Sequence, residues 1–334
     1  MPLIIEEDDS NQLWYTVYNE IIATNNLVES TKGETLELSQ VMICLNNPRQ
    51  RWISSRRPSI SIAFALAEVV WILNKSNDSR VINYWNPVLS KYSGTDEEYY
   101  GAYGYRLGYE FGIDQLSAAY YALKNNPNTR QVVLEYYKPD IDIPNNDGTS
   151  KASDIPCNVA SIVKIRNKKL DWTQIMRSND VILGLPYNIV QFTFLQEVLA
   201  GWLRIEVGKY THFSDSMHMY LSDINQYSAL NEVNPTNKDI FDQTKDVSEV
   251  IFSEIYSRMK YISEQSEMIS QRKLEELSFL NSGYECFNNM MLIISAYVAR
   301  KMNYKILEIK LIESCTNEVY VYQWKKWRDK QKLF

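Results

Sequence analysis

The chain has 334 residues, 45% hydrophobic and 23% charged, which is enough apolar material for one large core or two modest ones and excludes a disordered class. A formal net charge of −6, with acids and bases interspersed, leaves no polybasic footprint for nucleic acid, although a local arginine cluster could still hold a small anion. Cys44, Cys157, Cys286 and Cys315 form no CxxC pair and so point to reduced thiols without zinc, and with no spanning apolar run or signal-peptide pattern the expected compartment is the cytoplasm.

Leu13, Trp14, Val17, Tyr18 and Ile21 recur at spacings of three and four, predicting a helix over residues 11–24 with Ser10 as N-cap. Residues 35–45 alternate like a strand and run into the turn at Asn46-Asn47-Pro48. Residues 49–57 gather four arginines, either a solvated loop or part of an anion site. Residues 59–73 read as a buried helix carrying one carboxylate, Glu68, which is either structural or proton-handling, since burial raises a carboxyl pKa. A helix is expected over 115–124, a strand over 130–137 with Arg130 at its mouth, and an excursion loop over 138–153. Strands over 159–166 and 170–175 join as a hairpin at Asn167-Lys168-Lys169. A long helix covers 186–203, and a strand over 210–220 holds both histidines. Beyond residue 231 the spacing turns helical, with Val247, Ile251, Ile255 and Met259 on one face, a second helix over 287–302, and two strand-like pieces at 305–312 and 318–324 before a basic tail. The expected organisation is a core over 1–230 with a helix-rich region over 231–334 packed on it.

A lone cysteine is usually an inert core side chain, and a lone His218 a satisfied core histidine. Order and spacing change that reading. Pro156-Cys157 is followed twenty residues later by the run from Arg177 through Ser178, Asn179, Asp180 and Gly184 to Asn188. Glu68 in Ala67–Leu73, Tyr84-Trp85, Ala102-Tyr103-Gly104, Pro127–Arg130 and His218-Met219-Tyr220 stand around it. In this order the series resembles the thymidylate synthase superfamily, which includes the pyrimidine hydroxymethylases.

The resemblance implies an α/β (α+β) fold: a mixed sheet covered by helices, dimerising through the sheet, here with an atypical helical C-terminal region. It implies an enzyme that adds a Cys157 thiolate to pyrimidine C6, so that C5 becomes nucleophilic toward the one-carbon unit of 5,10-methylenetetrahydrofolate, with no metal. Arg177 favours the thiolate and with Ser178 holds the phosphate, and Arg130 joins them from the other subunit of a homodimer. Asn188 reads uracil, where cytosine-specific relatives carry a carboxylate. His218 and Tyr220 meet the ribose, and Glu68 and Tyr103 handle protons. Asp180 orders water and the folate, beside Trp85 and Gly184. Several positions depart from the pattern. Asn158 stands where most members have histidine, Gln131 replaces a second arginine, and no Arg-Thr-Gly loop is visible near Thr31-Lys32-Gly33. Lys32, Arg49, Arg51 or Arg57 could substitute there. The short apolar terminus that closes over the folate is replaced by a basic tail. Methylation of dUMP to dTMP stands slightly ahead of hydroxymethylation of a uridine or cytidine monophosphate, with an inactive nucleotide- or partner-binding homologue as the third reading.

Overall fold

The computed structural model describes residues 2–94, 97–265 and 268–330, so the last four residues of the basic tail lie outside the described residues. β1 (Leu3–Glu7) leads into α1 (Ser10–Ala23). Asp9, not Ser10, caps α1: its carboxylate accepts from the Gln12 amide at 2.9 Å, while Ser10 is buried as the first helical residue. β2 (Leu27–Ser30) and β3 (Gly33–Leu45) form a hairpin with Lys32 in its turn. After β4 (Arg56–Arg57) comes α2 (Ile62–Leu73), capped by Ser61 and apolar on nearly every side. Short helices α3 (Ser79–Asn83), α4 (Ser90–Ser93) and α5 (Tyr103–Tyr105) follow, the last continuing as a π turn over Arg106–Glu110, and then α6 (Gln115–Asn125).

The next segment supplies most of the sheet: β5 (Val133–Glu135), α7 (Pro139–Asp142), β6 (Asn158–Arg166), β7 (Lys169–Asp180), α8 (Leu185–Leu203), β8 (Glu206–Tyr220) and β9 (Ser228–Ala229). β5 is shorter than the strand expected over 130–137. The β6–β7 turn places Asn167 and Lys168 at φ 51° and 61°, the left-handed pair that two-residue hairpins require. The sheet runs β1-β3-β8-β7-β6-β5 with β2 beside β3; β1–β3 and β7–β8 are parallel and the other pairs antiparallel. One face buries Val41, Ile43, Leu170, Trp172 and Tyr210 against α1 and α8. The opposite face carries Met42, Cys44, Ile175 and Phe213 only half-buried, with Ile4 and Ile162 exposed, so no layer among the described residues covers it.

Five helices complete the chain: α9 (Lys245–Gln265), α10 (Gln271–Ser278), α11 (Glu285–Lys301), α12 (Lys305–Ser314) and α13 (Glu318–Lys330). α12 and α13 correct the two strands expected at 305–312 and 318–324. Alternation suggested strands, but Leu307, Leu311 and Ile312, and then Val319, Tyr320, Gln323, Trp324 and Trp327, are the buried sets, and those spacings are helical. α2 lies at the centre of the helical layer, in contact with α8, α9, α11 and α13. No helix among the described residues is long and apolar enough to cross a membrane.

α2 and α5 meet at Gly104, where a Cβ would stand 2.4 Å from the Ile72 carbonyl oxygen and 2.7 Å from its Cα. Both are backbone atoms that cannot turn aside. Gly104→Ala is therefore expected to cost about 1–3 kcal/mol by forcing the helices apart, measured as a fall in the urea midpoint at unchanged slope.

Candidate active site

The β6–β7 register sets Asn158 against Met176, which brings Cys157 and Arg177 side by side at the open end of the hairpin. Arg177 fastens the nucleophile's own backbone: its N–H donates to the Cys157 carbonyl at 3.0 Å, Nε to the Pro156 carbonyl at 3.0 Å and Nη2 to the Ile155 carbonyl at 3.2 Å. Nη2 then lies 3.9 Å from Cys157 Sγ. Burial pushes the thiol above its ordinary value; Arg177 and Lys32 pull it back, while Asp154 and Asp180 oppose them. The thiolate thus depends on those two cations.

Glu68 faces inward from α2. Burial raises its carboxyl to about 7, opposed by the Gln191 amide, and its Oε2 has no partner among the described residues. Gln191 Oε1 in turn accepts from Asn188 Nδ2 at 3.0 Å, one helical turn away on α8. One amide therefore orients Asn188 and touches the acid. The Tyr103 hydroxyl is pushed well above its ordinary value, by burial first and then by the nearby charges of Cys157, Asp154 and Glu68. Asn158 lies at the Tyr103 hydroxyl, and its Oδ1 accepts from Gln174 Nε2 at 2.9 Å.

β7 and β8 place Asp180 opposite His218 and bring Ser178 Oγ within 3.5 Å of His218 Nδ1. Burial lowers the imidazole pKa against the pull of Asp180 and Glu37. Asp180 Oδ1 accepts the Ile182 and Leu183 amides at 2.7 and 2.8 Å, forming the turn into α8. Gly184 ends that turn, and a Cβ there would stand 2.9 Å from Asn179 Oδ1. Tyr220 packs edge-on to His218, its ring centroid 5.4 Å away.

Trp85 lies outside the Cys157 cluster, and Arg130, expected to serve the site of a partner subunit, is remote from its own. Trp85 is 1% exposed, and its indole N–H donates to the Ile294 carbonyl at 3.1 Å, so it belongs to the core beneath α11 and offers no face to a folate. Arg130 is exposed beyond β5, and because Val163 N donates to the Val132 carbonyl, it falls opposite Ile165, some eight residues along β6 from Cys157, roughly 25 Å. It cannot reach the Cys157 site of its own chain. The arginines of 49–57 are also not a solvated loop: Arg49 and Arg51 both pair with buried Glu197, and Arg57 pairs with Glu232. Arg56 stacks on Tyr227, its guanidinium carbon 4.6 Å from the ring centroid, and its charge bears on Asp180. Of the four cations named for the anion loop, Lys32 is placed to act on Cys157.

The thymidylate synthase family model matches residues 19–255, most of the chain. The chain belongs to the thymidylate synthase family. Among its relatives, a deoxyuridylate hydroxymethyltransferase of Bacillus phage SP01 is 33% identical over 223 residues, covering 64% of this chain and 57% of that protein. A protein of the same name from Pseudomonas phage M6 is 33% identical over 169 residues, 50% of this chain and 47% of that protein. The chain thus spans about half the length of these two relatives. The thymidylate synthase of Bacillus licheniformis is 27% identical over 236 residues, 65% of this chain and 81% of that one. The crystal structure of thymidylate synthase from T4 phage superposes with a TM-score of 0.50 at 19% identity, covering 64% of this chain and 78% of that one, and shows the shared fold.

Within this family member, sequence reasoning missed Gln191, Asp154 and Arg56. Gln191 was findable, since it stands three residues after Asn188 on the same helix. Asp154 carried no signal, because it lies in a loop whose burial depends on contacts distant in sequence, and Arg56 could not be told from the other three arginines of 49–57.

Proposed function

We propose that the protein transfers a one-carbon unit to C5 of deoxyuridine monophosphate through a Cys157 adduct at C6. The observation that carries this reading is the Arg177 clamp on the Ile155–Cys157 backbone, with the guanidinium beside Sγ and open to a phosphate. Arg177 and Lys32 favour the attacking thiolate, Ser178 and His218 meet phosphate and sugar, and Asn188, oriented by Gln191, accepts from N3–H and donates to O4. Glu68, with a pKa near neutrality, serves both to protonate O4 and to remove the C5 proton. The uncovered sheet face supports a homodimer, in which Arg130 joins the phosphate site of the partner subunit.

The residues present suit a folate co-substrate. Asp180 Oδ2 accepts no hydrogen bond among the described residues and fits the N–H groups of a pterin, and the buried, unpartnered Nε of Arg56 adds a donor beside it. Bound there, methylenetetrahydrofolate supplies the one-carbon unit at the oxidation level of formaldehyde. We place hydroxymethylation first, supported by the two phage relatives at 33% identity. Methylation is the second reading, favoured by the match to 81% of the Bacillus licheniformis enzyme.

Incubation with methylenetetrahydrofolate and 5-tritiated dUMP, UMP, dCMP or CMP separates the readings. Tritium release with dUMP and a product heavier by a hydroxymethyl group is expected. A methyl product supports the second reading, and no release from folded protein with any of the four overturns both. Asn188→Asp should raise the preference for dCMP over dUMP by roughly 10²-fold in kcat/KM, the discrimination of a mispaired buried hydrogen bond. An unchanged ratio would show that Asn188 does not read the base.

A further inference from the structure

Asp154, three residues before the nucleophile, belongs to none of the roles above. Its Oδ2 accepts the Gly101 amide at 3.2 Å, and the approach is close enough that a Cβ on Gly101 would stand 2.6 Å from the Asp154 carbonyl and 2.8 Å from Oδ2. Its other oxygen, Oδ1, accepts no hydrogen bond among the described residues. The carboxyl is thus fixed by one oxygen and offers the other. The charges and acids that bear on it come from every side: Arg106 from the π turn, Lys32 from the β2–β3 turn, Cys157 beside it, and Tyr99 and Tyr103 from the turn that holds Gly101. Burial is the largest influence and brings the carboxyl to about 6, so it is ionised at neutral pH yet basic enough to take a proton.

The position divides the proton chemistry between two carboxyls. Tyr103 feels the charge of both, and Glu68 lies with Gln191 and Asn188, on the side that reads N3 and O4. Asp154 lies on the side of Cys157, where the C5–C6 edge of the ring must sit. We propose that Asp154 is the base that activates water against the C5 methylene of the Cys157-bound pyrimidine, directing the one-carbon unit to a hydroxymethyl group. This rests on the C5-transfer reading above. As the water oxygen bonds to the methylene carbon, its proton passes to Asp154. The methylene π electrons move onto C4–O4 as an enolate, which collapses to restore C5=C6 and expels Cys157 as thiolate. Lys32 and Arg177 receive that negative charge.

The test uses the full chain with methylenetetrahydrofolate and 5-tritiated dUMP, reading tritium release, which reports steps up to loss of the C5 proton, separately from hydroxymethyl product. In a single turnover with enzyme in excess, Asp154→Asn should leave the rate of tritium release within about threefold while the rate of hydroxymethyl formation falls at least tenfold. In the wild type, the yield of hydroxymethyl product per tritium released, read at a fixed early time in that single turnover, should fall as the pH drops through about 6, an observation that does not depend on the variant folding. Without any folate, the pH midpoint for iodoacetamide alkylation of Cys157 should move down in Asp154→Asn, because an anion next to the thiolate is gone. Hydroxymethyl formation at the wild-type rate in Asp154→Asn, a pH-independent yield, or a purely methyl product overturns the role of Asp154. Absence of release from the wild type overturns the C5-transfer reading beneath it.

Discussion

Cys157→Ser is expected to lower tritium release from dUMP by a factor on the order of 10⁴ or more while leaving nucleotide binding within tenfold by calorimetry. A serine hydroxyl is far less acidic than a thiol, and Arg177 and Lys32, which support a thiolate against burial, cannot generate an alkoxide at neutral pH. The exchange is nearly isosteric, and Arg177 holds the backbone of Ile155 and Pro156 rather than the side chain of Cys157, so the anion site should survive. A variant that released tritium at a tenth of the wild-type rate would place the nucleophile elsewhere.

Asp142→Ala is expected to destabilise the fold by about 3–5 kcal/mol, read from urea unfolding. Arg106 and Asp142 are both buried and meet through two hydrogen bonds of 2.7 and 3.0 Å. Removing the carboxylate leaves a guanidinium without its counter-ion in the core and also frees the Lys138 amide that Asp142 accepts at 2.6 Å. Because Arg106 Nε donates to the Tyr100 carbonyl at 3.1 Å, the loss should spread to the turn that carries Gly101 and Tyr103. A loss below about 1 kcal/mol would mean that Arg106 finds other partners.

The strip from Cys157 to Asn188 was legible in the sequence because its residues are fixed by local rules: a hairpin turn at Asn167-Lys168, a register counted from it, and an aspartate turn opening α8. Trp85 was misplaced because a tryptophan beside an active-site motif looks the same whether a ligand or α11 covers it. The four arginines of 49–57 looked solvated because Glu197 and Glu232, which neutralise three of them, lie about 150 and 175 residues away. α12 was read as a strand because Ile309, exposed on its outer side, stands midway between the buried Leu307 and Leu311 and makes their helical four-residue spacing look like alternation.

Gln191 has a consequence for fidelity. Its Oε1 holds Asn188 while its remaining amide group is turned toward Glu68. A cytosine would bind best to an Asn188 whose amide had rotated, and that rotation would turn a carbonyl toward Gln191 and oblige Gln191 to rotate as well. Its oxygen would then face Glu68, repelling the ionised form and altering the acid on which chemistry depends. The wrong base would therefore be penalised twice, once in binding and again in turnover, by a single relay of two side-chain amides.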